Sequence, residues 1–206
     1  MTEPETNTGG AVALTFDDGP DARWTPRVLD ALRAADAVAT FFVTPRLGIE
    51  AVAEIAAAGH EVAYHCGRHV RHTDRERGDV ADEARADLEQ LGEVGASVRC
   101  WRPPWGVLAP WTRDLAATLG LTIVLWDADT EDWSGRSATT MLAGIDPSIR
   151  AGAVVLMHDG IGPGALRTEA SATVELIAPL VALARGRGLE PATVSAVTAR
   201  RERAAA

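Results

Sequence analysis

Residues 11–20 read AVALTFDDGP, a run of apolar residues broken only by Thr15 that ends on two adjacent carboxylates and a Gly-Pro turn. A short run without polar alternation is what a strand buried on both faces of a parallel sheet needs. Similar runs follow at 39–43, 61–64, 98–101, 121–126, 153–157 and 189–193, which makes seven candidate strands with the first. Helical patterns lie between them at 26–35, 49–58, 80–94, 112–118, 138–144 and 168–187, with a last helix from Val194. Thr25 before Pro26 has the form of an N-cap followed by proline in the first helical turn. Strands alternating with helices predict an α/β fold on a parallel sheet. No Gly-x-Gly-x-x-Gly turn follows the first strand, which favours closure into a barrel over an open dinucleotide-binding sheet.

The 206 residues are 47% hydrophobic and 24% charged, the composition of one globular domain, and no repeat or Pro/Gly-rich linker divides them. The expected domain is 10–198, with 1–9 and 199–206 as flexible tails. A net charge of -9 argues against nucleic acid, whose phosphates are neutralised by Lys and Arg. All 20 basic residues are arginine, which excludes lysine Schiff-base and P-loop chemistry. The N-terminal MTEPETNTGG lacks the basic start and apolar core of a secretory signal, so the expected location is the cytoplasm, or outside the cell if the sequence was trimmed. No apolar run approaches the ~20 residues of a membrane span, so no membrane partner is expected. Cys66 and Cys100 are too few for a disulfide framework and read as free thiols, with a single bridge between them as the alternative. Oligomeric state is not legible.

In barrels of this class the reactive groups sit where strands end. After the first strand, Asp17 and Asp18 are neighbours whose side chains diverge on an extended segment, so one can bind a metal while the other faces a water; the plainer reading is an Asx-rich turn. After the third, His65-Cys66-Gly67-Arg68-His69 places two imidazoles four apart, on one face if the segment is helical, with His72 as a competing ligand. Chance surface spacing is the competing explanation, and a carboxylate from another strand would turn the pair into a two-His, one-carboxylate site. After the fourth, Arg102-Pro103-Pro104-Trp105-Gly106 is stiffened by two prolines, so the N-H groups of Trp105 and Gly106 can point outward as an oxyanion site; a rigid surface corner would look the same. The fifth runs into DADTEDW at 127–133, carboxylates beside tryptophans, suited to sugar stacking and to tuning a pKa. The sixth ends in His158-Asp159, a candidate acid near neutral pH, although a lone histidine there is more often structural.

In this order, TFDDGP, HCGRH, RPPWG, DTEDW and LMHDG resemble the five motifs of the polysaccharide deacetylases of carbohydrate esterase family 4, the NodB-homology domain, over residues 15–160. The resemblance implies a distorted, TIM-like (β/α) barrel of seven or eight strands. It also implies that Asp18, His65 and His69 hold a divalent metal, with zinc the first expectation and cobalt, nickel or iron also suited to such ligands. Asp17 would be the general base, paired with Arg102, and His158 the general acid, tuned by Asp132. Leu156 and Trp133 would line a pocket for the acetyl methyl, and the Trp105 N-H would help hold the oxyanion. Two positions depart from the family: Cys66 stands where Ser or Thr is usual, weakening hydrogen-bonded support of the neighbouring ligand, and Trp105 stands for Tyr, losing a hydroxyl.

The leading expectation is a metal-dependent hydrolase that removes acetyl from an N-acetylated amino sugar, releasing acetate and an amine. The alternatives are hydrolysis of a cyclic amide or imide on the same fold, and a catalytically silent carbohydrate-binding domain, against which the intact Asp17 and His158 argue. The expected substrate is a small N-acetylated molecule: an oligosaccharide, a sugar conjugate or a biosynthetic intermediate.

Overall fold

The computed structural model describes residues 10–205. The chain runs β1 (Gly10–Asp17), α1 (Thr25–Ala34), β2 (Thr40–Val43), α2 (Ile49–Ala57), β3 (Glu61–Tyr64), α3 (Arg77–Glu93), β4 (Cys100–Trp101) and α4 (Thr112–Thr118). It continues through β5 (Thr122–Ile123), β6 (Ala128–Asp129), α5 (Ala138–Ile145), β7 (Val154–His158), α6 (Ser171–Gly186), β8 (Leu189–Ala192) and α7 (Val194–Ala205). The strands form one parallel sheet in the order β5-β4-β3-β2-β1-β7-β6, with β8 against β1. β1 is the hub: residues 10–13 pair with β8, 13–17 with β7 and 15–17 with β2.

Alternation along each strand divides the core in two. Val12, Leu14, Phe16, Phe41, Val43, Val62 and Val155 face outward, against helix residues that include Val28, Leu32, Leu176 and Leu180. Ala11, Ala13, Phe42, Ala63, Cys100 and Val154 face the interior of the curled sheet. Val194 and Val197 of α7 belong to that interior cluster and plug its lower end. Small inner side chains against large outer ones explain why β1 reads as a nearly unbroken apolar run.

The curl is not completed by a ladder. The fifth candidate strand, expected over 121–126, is shorter: β5 is Thr122–Ile123, residues 124–127 cross from one sheet edge to the other, and β6, beginning beyond the expected range at Ala128, is an eighth strand that the sequence reading did not include. Val124 donates to the Trp101 carbonyl (3.0 Å) on one side, and Asp127 donates to that of Val154 (2.8 Å) on the other. The carbonyls of Val124 and Leu125 accept from the Arg102 guanidinium, each at 3.2 Å. A fully buried arginine thus stands where strand pairing would have closed the barrel, and this gives the fold its distorted form.

Two further expectations are corrected, and the cysteines are as expected. Thr25 does not cap α1 with its side chain; it accepts from Asp21 N (2.7 Å) and donates to Asp159 (2.5 Å), tying the start of α1 to the end of β7. Instead of a tail from 199, α7 runs on to Ala205, and Arg201 reaches the Asp127 carboxylate at 3.2 Å; the expected tail 1–9 lies outside the described residues. Cys66 and Cys100 are both free and buried, so the alternative of a bridge falls. Among the described residues, no helix is long and apolar enough to cross a membrane.

Candidate active site

β1 delivers both carboxylates to the upper end of the sheet, and the chain then turns sharply. Asp18 adopts φ +68, a left-handed conformation that an aspartate tolerates in a turn and that swings its side chain away from that of Asp17. Gly160 and Gly162, after β7, let that loop close over it: a Cβ at either would collide with the Asp18 backbone or carboxylate. Asp18 Oδ1 lies 3.2 Å from Nε2 of both His65 and His69. Burial opposes the charge on Asp18, but the two imidazoles outweigh it and hold the carboxyl well below the usual carboxylate range.

His65 Nδ1 donates to the Arg102 carbonyl (2.6 Å), which turns Nε2 toward Asp18; that atom is buried and has no hydrogen-bond partner among the described residues. Ligand atoms of Asp18, His65 and His69 lie within 4.8 Å of one another. One carboxylate and two converging imidazole nitrogens, one orphaned, fit a divalent metal ion. The two histidines meet without a helix, because 65–69 is a loop of bends, so the helical reading of their spacing is wrong although the rings do converge. His72 is no ligand: it is buried between Trp101 and Trp111, its Nδ1 is 3.1 Å from Thr112 Oγ1, and burial pushes its pKa down to about 4.

Behind Asp17 stands Arg102, donating to Oδ1 at 2.6 Å and to Thr15 Oγ1 at 2.9 Å, while its guanidinium lies 3.9 Å from the centre of the Phe42 ring. Across the cavity, His158 Nδ1 donates to Asp132 Oδ1 (2.7 Å), and the His158 backbone N-H donates to Asp132 Oδ2 (2.9 Å). Burial alone would lower the imidazole pKa; the Asp132 carboxylate overcomes it and raises the value to about 9. Asp132 is held in turn by Arg167 Nη1 (2.9 Å) and Thr173 Oγ1 (2.7 Å), and Arg167 also donates to the carbonyls of His158 (2.8 Å) and Gly160 (3.0 Å).

Sequence reading missed Arg167 and Thr173. The Asp159 carboxyl lies against Gly19, where a Cβ would collide with it, and burial raises its pKa to about 7.

These groups surround a cavity of about 340 Å³ into which Asp17, Asp18, His65, His69 and His158 all open. Trp105, Trp133 and Leu156 form part of its wall, the two tryptophans partly exposed and Leu156 buried. Arg102 and Asp132 support the lining from behind. Of the expected pair of outward N-H groups, that of Gly106 is taken, because it is bonded to the Pro103 carbonyl (2.9 Å) as the turn closes. Trp105 itself takes φ +55 and packs its ring edge-on against His69, centroids 4.1 Å apart.

The family model for polysaccharide deacetylases matches residues 5–124. This chain belongs to the polysaccharide deacetylase family. A chitooligosaccharide deacetylase of Bradyrhizobium sp. (strain ANU 289) is 35% identical over 193 residues, covering 87% of each chain. A peptidoglycan-N-acetylglucosamine deacetylase of Listeria monocytogenes is 34% identical over 163 residues, 76% of this chain and 34% of that protein. Among solved structures, a family 4 carbohydrate esterase from Streptomyces lividans in complex with acetate superposes with a TM-score of 0.79 at 29% identity, covering 88% of this chain and 91% of the other. The match to the family model ends before Asp132 and His158, the hydrogen-bonded pair that the fold brings to the same cavity.

Proposed function

We propose that this deacetylase-family chain hydrolyses the acetamide of an N-acetylated amino sugar, releasing acetate and a free amine, with a metal ion that we take to be zinc. The observation that carries the reading is the convergence of Asp17, the Asp18-His65-His69 group and His158 on one cavity. A binding module needs neither base nor acid, whereas hydrolysis of an unreactive amide needs an activated water, a polarised carbonyl and a proton for the departing nitrogen.

Asp18, His65 and His69 would hold the ion, which when bound supplies Lewis acidity for the water and the carbonyl. Asp17, with Oδ1 engaged by Arg102, receives the proton of the attacking water on Oδ2. The Trp105 N-H donates to the oxygen on which charge develops. His158, its Nδ1 held by Asp132, gives the Nε2 proton to the nitrogen as the C-N bond breaks. Leu156 and Trp133 enclose the acetyl methyl and favour acetyl over larger acyl groups. The names of the relatives support an N-acetylglucosamine-containing oligosaccharide as substrate.

A panel assay tests this reading: zinc-loaded protein with N-acetylglucosamine, its short oligomers, and cyclic amide and imide controls, scored for acetate and new amine. Release from the oligomers is expected. Turnover of the cyclic compounds alone, or oligomer binding without release, would overturn it.

A further inference from the structure

The two metal histidines are not supported alike. His65 is fixed at both ends, by its backbone N-H to the Val43 carbonyl (2.9 Å) and by its ring to the Arg102 carbonyl. His69 has a buried Nδ1 with no hydrogen-bond partner among the described residues, so its ring lacks the tether that normally orients a metal-ligating imidazole. What fixes the loop beneath it is a carboxylate one layer away. Glu83 of α3, only 7% exposed, accepts from Arg68 N (3.1 Å) and Arg68 Nε (2.8 Å), the residue immediately before His69. It also accepts from Arg75 Nη1 (2.8 Å) and Nη2 (3.1 Å), on the far side of the same loop. Gly67 is pressed against this helix so closely that a Cβ would meet Glu83 Cγ at 2.8 Å and collide with the Asp87 carboxylate.

We infer that Glu83 is a positioning residue for the metal centre, clamping the Gly67-Arg68 backbone so that His69 meets Asp18 and His65 without a hydrogen bond at its Nδ1. The proposal rests on Asp18, His65 and His69 being the ligands. It assigns to α3, which contributes no residue to the cavity wall, a share of the metal affinity.

The test is metal binding by the full chain, read from the visible spectrum of the cobalt-substituted protein and from competition with a chelator. Glu83→Gln should raise the metal dissociation constant by ~10- to 100-fold and alter the cobalt spectrum, while Asp82→Asn, at an exposed neighbour on the same helix paired with Arg85, should change neither. Arg68→Met removes one link through an exposed side chain and should weaken cobalt binding by a smaller factor, with no further loss when added to Glu83→Gln. Wild-type affinity and spectrum in Glu83→Gln would overturn the proposal; if that variant does not fold, unchanged cobalt binding by Arg68→Met would do so. Wild-type protein that binds no cobalt would remove the ligand assignment itself, and cobalt binding without acetate release would count against the proposed reaction alone.

Discussion

Replacing Asp17 with asparagine is expected to lower kcat for acetamide hydrolysis by ~10² to 10⁴ while leaving the metal bound. The amide keeps the shape of the carboxylate but cannot take up a proton at neutral pH, and Asp17 lies next to the ligand set without belonging to it. Asp18→Asn should do the reverse, losing metal first and activity as a consequence. Two adjacent aspartates therefore separate by metal content measured alongside turnover. The Asp17 variant also leaves the buried Arg102 without its charge partner, so folding must be checked by circular dichroism before the rate is read. Near-normal turnover in folded, metal-loaded Asp17→Asn would remove the base assignment.

His158→Ala should lose a comparable ~10² to 10⁴ on amide substrates and far less on an activated aryl acetate, whose leaving group scarcely needs a proton. The pH dependence follows from the sign of the shift. His158 is raised from 6.5 to about 9 by Asp132, so the donating imidazolium is present through neutrality and is lost as the pH rises through its pKa. The alkaline limb of kcat should therefore lie above 6.5, and Asp132→Asn should move it back toward that value. Equal losses on amide and aryl ester, or a limb unmoved in Asp132→Asn, would give His158 another role.

Much of the site was legible because its residues follow strand ends, where the chain switches from a buried apolar run to polar side chains within two residues: Phe16 to Asp17, Tyr64 to His65, Trp101 to Arg102, Met157 to His158. What was not legible depends on distance in the chain. Arg167 lies 35 residues beyond the Asp132 it holds, on a loop with no pattern of its own, and Glu83 lies within a helix where a charged residue reads as solvated surface. The early end of the fifth strand was hidden for a related reason. Residues 121–126 are apolar or β-branched throughout, and only the Arg102 guanidinium, which takes the Val124 and Leu125 carbonyls, shows that no neighbouring strand does. His72 misled in the opposite direction, since its spacing suits a ligand while its ring packs between two tryptophans.

The most direct measurement is acetate release from a chitooligosaccharide as metal is stripped by a chelator and then returned as zinc in counted equivalents. Release should fall with metal content, recover in proportion to added zinc and level off at one ion per chain, the capacity of the Asp18-His65-His69 group; Asp18→Asn should recover almost nothing. Acetate release undiminished in protein whose metal content is verified as nil would contradict it.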